Sequence, residues 1–440
     1  MAPQSSAHPQ SESLPVVAVD PIVEALWPLR QPEFTVPSLR SWTAKTLRSH
    51  LTGDQLRDNL ILNKWEFAQG KAVLESYPWR LSVPFILCNA KCDFCAAWLM
   101  KGHSDLDELI ASLSPVIRRC YQLDLVGWGE PLVHPQFGKI LDTLKREADA
   151  RARLALTTNG VLLAEWIDRL LEANVMEYAI SIHATKEETH RDLMGFGPGK
   201  FDLAKRAVQK LADQKARHPE LSIELVLVVT RQNITEIPAF IEMSERLGAD
   251  KVHLRTLMPV VGAPREGLDY HRLPPYLHPE FDRLREAAVL AIDRASLPVK
   301  ASPETWSRPV FDPEWESRLD GMPLTPRGGR RTYGLSEIQW DALGAGEENC
   351  ECEPWDVVDL YGRSAPLYCP SPYTAFYVNG TDRRVIPCVY MHKVPNHEFI
   401  HFKPNMSFEQ VWNSPAMVAV RRHLHQGPLM PACLKCPFHC

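Results

Sequence analysis

The sequence predicts an α/β protein that is built on a parallel sheet, followed by a separate cysteine-rich segment. Six short apolar runs between Trp79 and Met258 alternate with stretches of helical period. Seven of the eleven cysteines come after residue 349. The 440 residues, 45% hydrophobic and 23% charged, are enough for a large core and additional segments.

The amino-terminal part precedes the alternating pattern. Residues 1–20 are predicted to be a disordered tail because they have few apolar side chains to bury. Residues 21–78 are predicted to be a helical extension, with helices over Pro21–Leu26, Ser38–Leu51 and Asp54–Glu75. The first residues lack the features of a signal peptide, and no apolar run reaches eighteen residues. We therefore expect a cytoplasmic protein without a membrane partner.

Residues 79–258 carry the alternation itself. Strands are predicted over Arg80–Leu87, Gln122–Val126, Ala152–Thr157, Glu177–Ile182, Ile223–Val229 and Lys251–Leu254. Helices are predicted over Asp105–Cys120 (with Ser104 as N-cap), Pro135–Arg146, Leu163–Ala173, Asp202–Arg217 and Ile234–Leu247. Right-handed crossovers between these strands give a parallel sheet, either open or curled into a partial barrel, that binds ligands at its carboxyl ends.

The remaining residues divide into two segments. Residues 259–346 are rich in proline and are predicted to be an irregular linker with one helix, Pro279–Ser296. Residues 347–440 are predicted to be a small domain. It contains a hairpin of Ala375–Val378 and Val385–Cys388 around Asn379-Gly380, then a helix over Ser407–His423.

A CxxxCxxC motif directly follows the first predicted strand. Cys88, Cys92 and Cys95 are spaced to bind three corners of an iron–sulfur cube, which leaves the fourth iron without a protein ligand. A zinc site is the alternative, but it needs a fourth ligand, and the nearest other cysteine, Cys120, lies within a predicted helix. Net charge is −5, which argues against a nucleic-acid partner.

The motif, with Phe94 before its last cysteine, resembles that of the radical S-adenosylmethionine (radical SAM) superfamily. Gly127-Trp128-Gly129-Glu130-Pro131 resembles the family's GGEP motif after the second strand. Thr158-Asn159-Gly160 and Ser181-Ile182-His183-Ala184 follow the next two strands, as in many members. The resemblance covers residues 80–258 and implies a partial (β/α)6 TIM-like barrel that binds a [4Fe–4S] cluster and SAM.

The resemblance and the residue chemistry together give candidate contacts for SAM. Small residues at 127 and 129 allow close approach of the backbone to a ligand. Glu130 either pairs with the SAM ammonium or holds its loop, and Ser181 either bonds a ribose hydroxyl or caps its strand. His183 either contacts the substrate or is a structural histidine, and Asn159 either stabilises its own turn or touches a ligand. Met194 stands where relatives have an arginine for the SAM carboxylate, so Arg191 or Arg255 is expected to replace it. The complete set of cofactor-binding candidates is Phe94, Gly127, Trp128, Gly129, Glu130, Asn159, Ser181, His183, Arg191 and Arg255.

The carboxyl-terminal cysteines resemble the SPASM/twitch extension of the same superfamily, which carries auxiliary iron–sulfur clusters. The resemblance implies at least one auxiliary [4Fe–4S] cluster with Cys369, Cys388, Cys433 and Cys436 as ligands, and Cys440 as a possible replacement for one of them. A structural zinc held by the same four cysteines is the alternative. Cys350 and Cys352 are spare. Cys120, Cys350, Cys352 and Cys440 are candidate hydrogen-atom donors, although Cys120 also fits a buried helix face.

The resemblance implies an enzyme that reductively cleaves SAM to a 5′-deoxyadenosyl radical, which abstracts hydrogen from a small natural-product or sugar substrate. An auxiliary cluster suits removal of a second electron, so dehydrogenation is the expected reaction. The alternatives are epimerisation, decarboxylation or C–C or C–S bond formation on a sugar, nucleoside or peptide. The expected electron donor is a flavodoxin or ferredoxin. A non-catalytic iron–sulfur electron carrier and a zinc-stabilised binding protein are the competing hypotheses.

Overall fold

The computed structural model describes residues 34, 36–95, 97, 105–257, 273–301, 369, 371–378, 383–388, 400–403 and 406–426. Several predictions lie outside these residues. They concern the tail, the helix at Pro21–Leu26, the N-cap Ser104, the Asn379-Gly380 turn, and Cys350, Cys352, Cys433, Cys436 and Cys440.

A single mostly parallel sheet organises the described part of the chain. Its strands are β1 Arg80–Val83, β2 Gln122–Leu125, β3 Arg153–Thr158, β4 Val175–Ser181, β5 Ser222–Val228, β6 Lys251–Arg255, β7 Val299–Ala301, β8 Ala375–Val378 and β9 Val385–Ile386. The spatial order is β7-β6-β5-β4-β3-β2-β1-β8-β9, and all neighbours are parallel except β8 and β9. This confirms the predicted α/β class, and the architecture is consistent with a partial TIM-like barrel.

Helices alternate with the strands from β1 to β7, as the sequence predicted, and further helices precede β1 or follow β7. They are α1 Val36–Arg40, α2 Ala44–His50, α3 Gln55–Ala68, α4 Leu106–Ser112, α5 Ser114–Ile117, α6 Phe137–Glu147, α7 Leu163–Glu172, α8 Glu187–Met194, α9 Lys200–Ala212, α10 Ile237–Arg246, α11 Phe281–Arg294, α12 Ser371–Thr374, α13 Phe408–Trp412 and α14 Pro415–Gln426. Short 3-10 turns occur at Pro131–Val133, Ile234–Glu236 and Pro275–Leu277.

Proline accounts for three of the boundaries that were predicted wrongly. The first strand ends at Val83 rather than Leu87 because Pro84 has no N–H for the ladder. The helix predicted over Asp105–Cys120 is split into α4 and α5 before Pro115, and Asp105 is its N-cap. The helix predicted over Ser407–His423 is likewise split, since α14 begins at Pro415. The helix predicted over Ser38–Leu51 is divided into α1 and α2, and the one predicted over Asp54–Glu75 ends at Ala68, with no proline at either break.

Three of the helices and strands were not predicted, one of which is the four-residue helix α12. Helix α8 follows β4 directly, where only one later helix was expected, and its polar composition concealed its period. Strand β7 lies in the segment that was predicted to be irregular, and it extends the sheet beyond β6. Three residues are too few for a periodic signal in the sequence.

The two faces of the sheet differ in chemistry. Side chains on one face are buried beneath the helices and form the main core; they include Leu81, Val83, Leu123, Leu125, Leu154, Leu156, Ile180, Leu225, Val252 and Leu254. Side chains on the other face, which we call the inner face, are mostly polar. They include Arg80, Ser82, Asp124, Arg153, Glu177, Ser181, Glu224, Lys251, His253, Arg255 and Lys300.

The amino-terminal helices join the barrel to the carboxyl-terminal segment. Asn63 Nδ2 of α3 donates to the Tyr373 carbonyl (2.8 Å), and the Trp412 indole donates to the Ser76 carbonyl (3.0 Å). The Arg421 side chain is fully buried, and its Nε donates to the Pro372 carbonyl (2.9 Å). Strand β8 pairs with β1, so the carboxyl-terminal segment continues the sheet at its first edge. The predicted hairpin pairing of β8 with β9 is present.

Helices long and apolar enough to span a lipid bilayer do not occur in the described part of the chain.

Candidate functional site

The cysteine loop follows β1 at the carboxyl end of the sheet and is clamped to the end of α8. The backbone N–H groups of Lys91 and Asp93 donate to the carbonyls of Met194 (2.9 Å) and Leu193 (3.0 Å). Gly195 ends α8 with a φ of 62°, and a Cβ there would lie 2.7 Å from the Lys91 carbonyl oxygen. The position requires glycine for both its conformation and the close approach.

The three cysteines lie together, and their loop suits a cluster. Cys92 is buried with Met194 and Phe196, and Cys88 and Cys95 pack against the same small core. Backbone N–H groups of Ala90 and Ala97 each lie 3.4 Å from a sulfur, of Cys88 and Cys95 respectively. Hydrogen bonds of this kind stabilise sulfur ligands of a cluster.

Burial keeps these thiols protonated in the absence of metal. Burial, with smaller contributions from Glu130 and Cys95, raises the pKa of Cys88 to about 11, and burial also raises the pKa of Cys92 and Cys95. Within the described residues, no three metal-binding side chains surround one common point.

Gly127 and Gly129 are needed for packing within the protein. A Cβ at 127 would lie 2.0 Å from the Phe85 carbonyl oxygen, and one at 129 would lie 2.2 Å from that of Leu87. The loop after β2 also donates backbone hydrogen bonds to the same two carbonyls (2.9 and 2.7 Å). These glycines let two protein segments meet, and the predicted approach of a ligand to their backbone stays a prediction.

Glu130 holds the loop after β3. The carboxylate is buried, with one oxygen accepting from Thr158 Oγ1 (2.7 Å) and the other from the Asn159 backbone N–H (2.6 Å). Burial raises the pKa of Glu130 to about 7. Both oxygens are engaged within the protein, so the geometry supports the loop-holding alternative over an ion pair with the SAM ammonium.

Asn159 connects two loops of the site. Its Nδ2 donates to Asn89 Oδ1 (2.7 Å), and its own Oδ1 accepts from the Val161 N–H (3.1 Å). The contact of Asn159 with its own turn, one of two predicted roles, is present. Asn89 was missed by the sequence reasoning, because an asparagine between cysteines carries no distinctive signal.

The His183 ring packs against the Phe94 ring. The two rings meet edge to face, with centroids 5.0 Å apart. His183 has a φ of 60°, and its Nδ1 accepts from the Val228 N–H (3.0 Å), which assigns the proton to Nε2. Burial lowers the pKa of His183 to about 3, so the ring is neutral. Ser181 ends β4 on the inner face and is half-buried.

The two candidate arginines differ in position. Arg191 is on α8, where its side chain is 46% exposed and lies 3.2 Å from Asp192. Arg255 ends β6 on the inner face, and its charge contributes to lowering the pKa of His183. Of the two, only Arg255 projects from the same face as Ser181.

Cys120 lies away from these residues. It is fully buried, immediately before β2, and its Sγ donates to the Pro78 carbonyl (3.2 Å) at the amino end of β1. The sequence predicted Cys120 to lie within a helix, but it follows the end of α5. The cysteine loop is at the opposite end of the same strands, so this geometry argues against Cys120 as a hydrogen-atom donor.

Two of the predicted auxiliary ligands are within the described residues. Cys369 and Cys388 are half-buried and flank the segment that contains α12, β8 and β9. Both lie close enough to the Tyr377 phenol on β8 to raise its pKa, although burial is the main cause. Arg80 and Asp124 of the inner face also act on Tyr377. Ser371 Oγ donates to the Pro387 carbonyl (3.3 Å), so the chain ends that carry the two cysteines meet beside β8, which pairs with β1.

Comparison with protein families agrees with this arrangement. Residues 82–243 match the radical SAM superfamily, and residues 369–437 match SPASM, an iron–sulfur cluster-binding domain. The chain thus has a radical SAM domain followed by a SPASM domain, as the sequence predicted. These domains imply a [4Fe–4S] cluster with SAM, and auxiliary iron–sulfur clusters.

Curated relatives share only part of the chain. An AdoMet-dependent heme synthase from Methanosarcina barkeri is 27% identical over 39% of this chain and 48% of that protein. A probable GTP 3′,8-cyclase from Metallosphaera sedula is 30% identical over 42% of this chain and 57% of that protein. The chain spans about half the length of these curated relatives.

Among solved structures, SuiB from Streptococcus suis bound to S-adenosylmethionine has a similar fold. Its TM-score is 0.52 at 15% identity, and the match covers 90% of this chain and 79% of that one. SuiB bound to its precursor peptide SuiA gives a TM-score of 0.50 at 15% identity, over 82% of this chain and 71% of that one. At this identity the likeness concerns the fold.

Proposed function

We propose that this member of the radical SAM superfamily dehydrogenates a small natural-product or sugar substrate held over the inner face of its partial barrel. The observation that carries the proposal is that Cys369 and Cys388 flank the segment whose strand β8 joins the sheet next to β1. Dehydrogenation removes two electrons, and an electron acceptor at that edge suits the second one.

The residues of the cysteine loop hold the catalytic cluster in this proposal. Cys88, Cys92 and Cys95 supply three sulfur ligands, and their loop is fixed by α8 and by Asn89. When bound, the cluster and SAM supply the 5′-deoxyadenosyl radical that takes a hydrogen atom from the substrate. The remaining residues bind, orient and enclose the reactants.

We assign the SAM contacts as follows. The Trp128 carbonyl lies 4.0 Å from Cys95 Sγ and accepts from the ammonium group of SAM. Ser181 bonds a ribose hydroxyl, and Arg255 pairs with the carboxylate. His183, which is neutral and protonated on Nε2, fixes Phe94 beside the cluster. Glu130 and Asn159 position the loops and do not touch SAM.

The contacts made by the amino-terminal helices favour a small substrate. Contacts with the carboxyl-terminal segment occupy α3 and residues 72–77, through Asn63, Leu74 and Ser76. That surface is therefore not available for a peptide. A peptide substrate is the second candidate, because SuiB, which has a similar fold, has been solved with its precursor peptide.

Anaerobic reconstitution with iron and sulfide tests the proposal. We expect about eight irons per chain, as two cubane clusters require. With SAM and dithionite, a screen of small metabolites should reveal one that increases 5′-deoxyadenosine and yields a product lacking two hydrogen atoms. The Cys88/Cys92/Cys95 triple alanine variant should lose about four irons and all SAM cleavage.

Two outcomes contradict the proposal. A colourless zinc protein that forms no 5′-deoxyadenosine would reject the enzyme. A substrate-dependent product with an unchanged hydrogen count would reject dehydrogenation in favour of epimerisation or decarboxylation, which differ by the mass of carbon dioxide.

A further inference from the structure

The charges on the inner face are distributed unevenly between its two ends. On β1 to β4 they are paired: Arg80 Nε lies 2.5 Å from Asp124 Oδ2, and Arg153 forms an ion pair with Glu177. These pairs cancel, so this end of the face carries no excess charge.

At the β5–β7 end cations outnumber carboxylates. The basic side chains here are Lys251 and Arg255 of β6 and Lys300 of β7, and Glu224 of β5 is the one described carboxylate among them. Lys251 Nζ lies 3.8 Å from Glu224 Oε2, and His253 Nδ1 lies 3.0 Å from Glu224 Oε1. One carboxylate thus faces three cations and an imidazole.

Register places these side chains on one surface. Glu224 is the partner of Lys251, and His253 is the partner of Lys300, on neighbouring parallel strands. Partner residues in a parallel ladder project from the same face, with their strands about 4.8 Å apart. Val226 of β5 is the partner of both Ser181 on β4 and His253 on β6, so these residues lie in one row across the sheet. The group is therefore about 10 Å across the sheet from Ser181.

Exposure shows that the cations face open space. The side chain of Lys251 is 44% exposed, and Lys300 and Arg255 are exposed residues. Lys300 makes no ion pair with any described residue. Cations that are clustered on a concave polar surface, without matching carboxylates, attract anions strongly.

We propose that Lys251, His253 and Lys300 bind an anionic group of the substrate, a carboxylate or a phosphate, at the β5–β7 end of the inner face. This inference rests on the proposed function, because it assumes that the substrate occupies this face. Glu224 Oε1 and Arg255 Nε lie 3.0 and 3.4 Å from His253 Nδ1, so Nε2 is the ring nitrogen left for the anion. Arg255, at the carboxyl end of the same strand, separates this site from the cysteine loop.

Binding of inorganic phosphate to the reconstituted enzyme, measured by anaerobic calorimetry, tests the inference without a substrate. The wild type should bind phosphate saturably at about 1–10 mM. A Lys251→Gln/Lys300→Gln variant should bind it at least tenfold more weakly. The control variant Lys139→Gln/Lys145→Gln loses the same charge on exposed helix α6 and should bind as the wild type does.

A further variant is expected to strengthen phosphate binding instead of weakening it. Glu224→Gln removes the one carboxylate and should tighten phosphate binding several-fold, which loss of folding could not imitate. Repeating the titration with succinate distinguishes a carboxylate site from a phosphate site by their relative affinities.

Several outcomes would overturn the inference. These are no saturable binding of either anion, equal weakening in the control variant, or complete loss of binding on saturation with SAM, which would assign the cations to the SAM carboxylate. Formation of 5′-deoxyadenosine in the same preparations tests the proposed function separately. A wild type that takes up no iron–sulfur cluster on reconstitution would reject that function, whereas only the anion titrations decide this site.

Discussion

The Asn159 side chain donates to Asn89 Oδ1 across 2.7 Å and thereby ties the loop after β3 to the cysteine loop. Asn159 is itself held by Glu130, whose second oxygen holds Thr158. Three loops from three different strands are connected by this one chain of hydrogen bonds. The geometry of the cysteines consequently depends on residues that touch no ligand.

Replacing Asn89 with alanine should loosen the cysteine loop. The Asn159 amide loses its acceptor in a nearly buried position, which costs about 1–3 kcal/mol. We expect lower iron retention at the first cluster and weaker SAM binding, measured by iron analysis and by the change in the cluster's EPR spectrum on SAM addition. Lys91→Ala, an exposed change in the same loop, is the control. Equal iron retention in both variants would contradict the prediction.

Gly127→Ala should destabilise the fold by about 3 kcal/mol or more, because the new methyl group overlaps the Phe85 backbone, which cannot move aside. Urea unfolding measures the effect. Gly197→Ala is the matched control, since a Cβ there has no heavy atom within 4 Å. If Gly127→Ala unfolds at the same urea concentration as Gly197→Ala, the close approach of these two segments is wrong.

His190 should make the protein sensitive to mild acid. It is fully buried between Phe196 and Phe201, and burial lowers its pKa to about 4 from 6.5. The unfolded chain therefore binds a proton at His190 below pH 6.5, whereas the folded chain binds it only below about pH 4. Stability is fully present above pH 6.5 and falls as the pH decreases through this window, by up to about 3 kcal/mol.

A His190→Leu variant tests this dependence. Its free energy of unfolding should change less than that of the wild type between pH 7.5 and 5, measured by urea titration at each pH. Parallel curves for the two proteins would show that His190 does not contribute to the acid sensitivity.

Arg421→Met should weaken the packing of the amino-terminal helices against the carboxyl-terminal segment. The guanidinium donates to the carbonyls of Pro372 and Ala72 and stacks 4.3 Å above the Trp412 ring. Its loss leaves these buried acceptors without a donor, at a cost of about 1–3 kcal/mol in unfolding free energy.

Limited proteolysis and urea unfolding measure the change. The neighbouring Arg422 is exposed, so Arg422→Met is the control. A variant at 421 that is no more sensitive to protease than the one at 422 would show that this buried cation does not hold the two segments together.

The sequence by itself determined the chemistry and the general architecture. Spacing of Cys88, Cys92 and Cys95 indicated an iron–sulfur loop, since thiol chemistry depends on residue type and short local distances. Alternation of apolar periods predicted the parallel sheet, and it placed the cysteine loop at the carboxyl end of the first strand. The ordered motifs predicted the two domains that the family comparisons identify.

Only the tertiary structure decided which residues meet. Glycines at 127 and 129 indicated that another group lies close to them. Strand pairing decides that this group is the backbone of Phe85 and Leu87. Lys251 and Lys300 are 49 positions apart in the sequence and become neighbours on one face through the pairing of β6 and β7. Such contacts are made between distant segments, and their partners are fixed by the register of the sheet, which local sequence patterns do not contain.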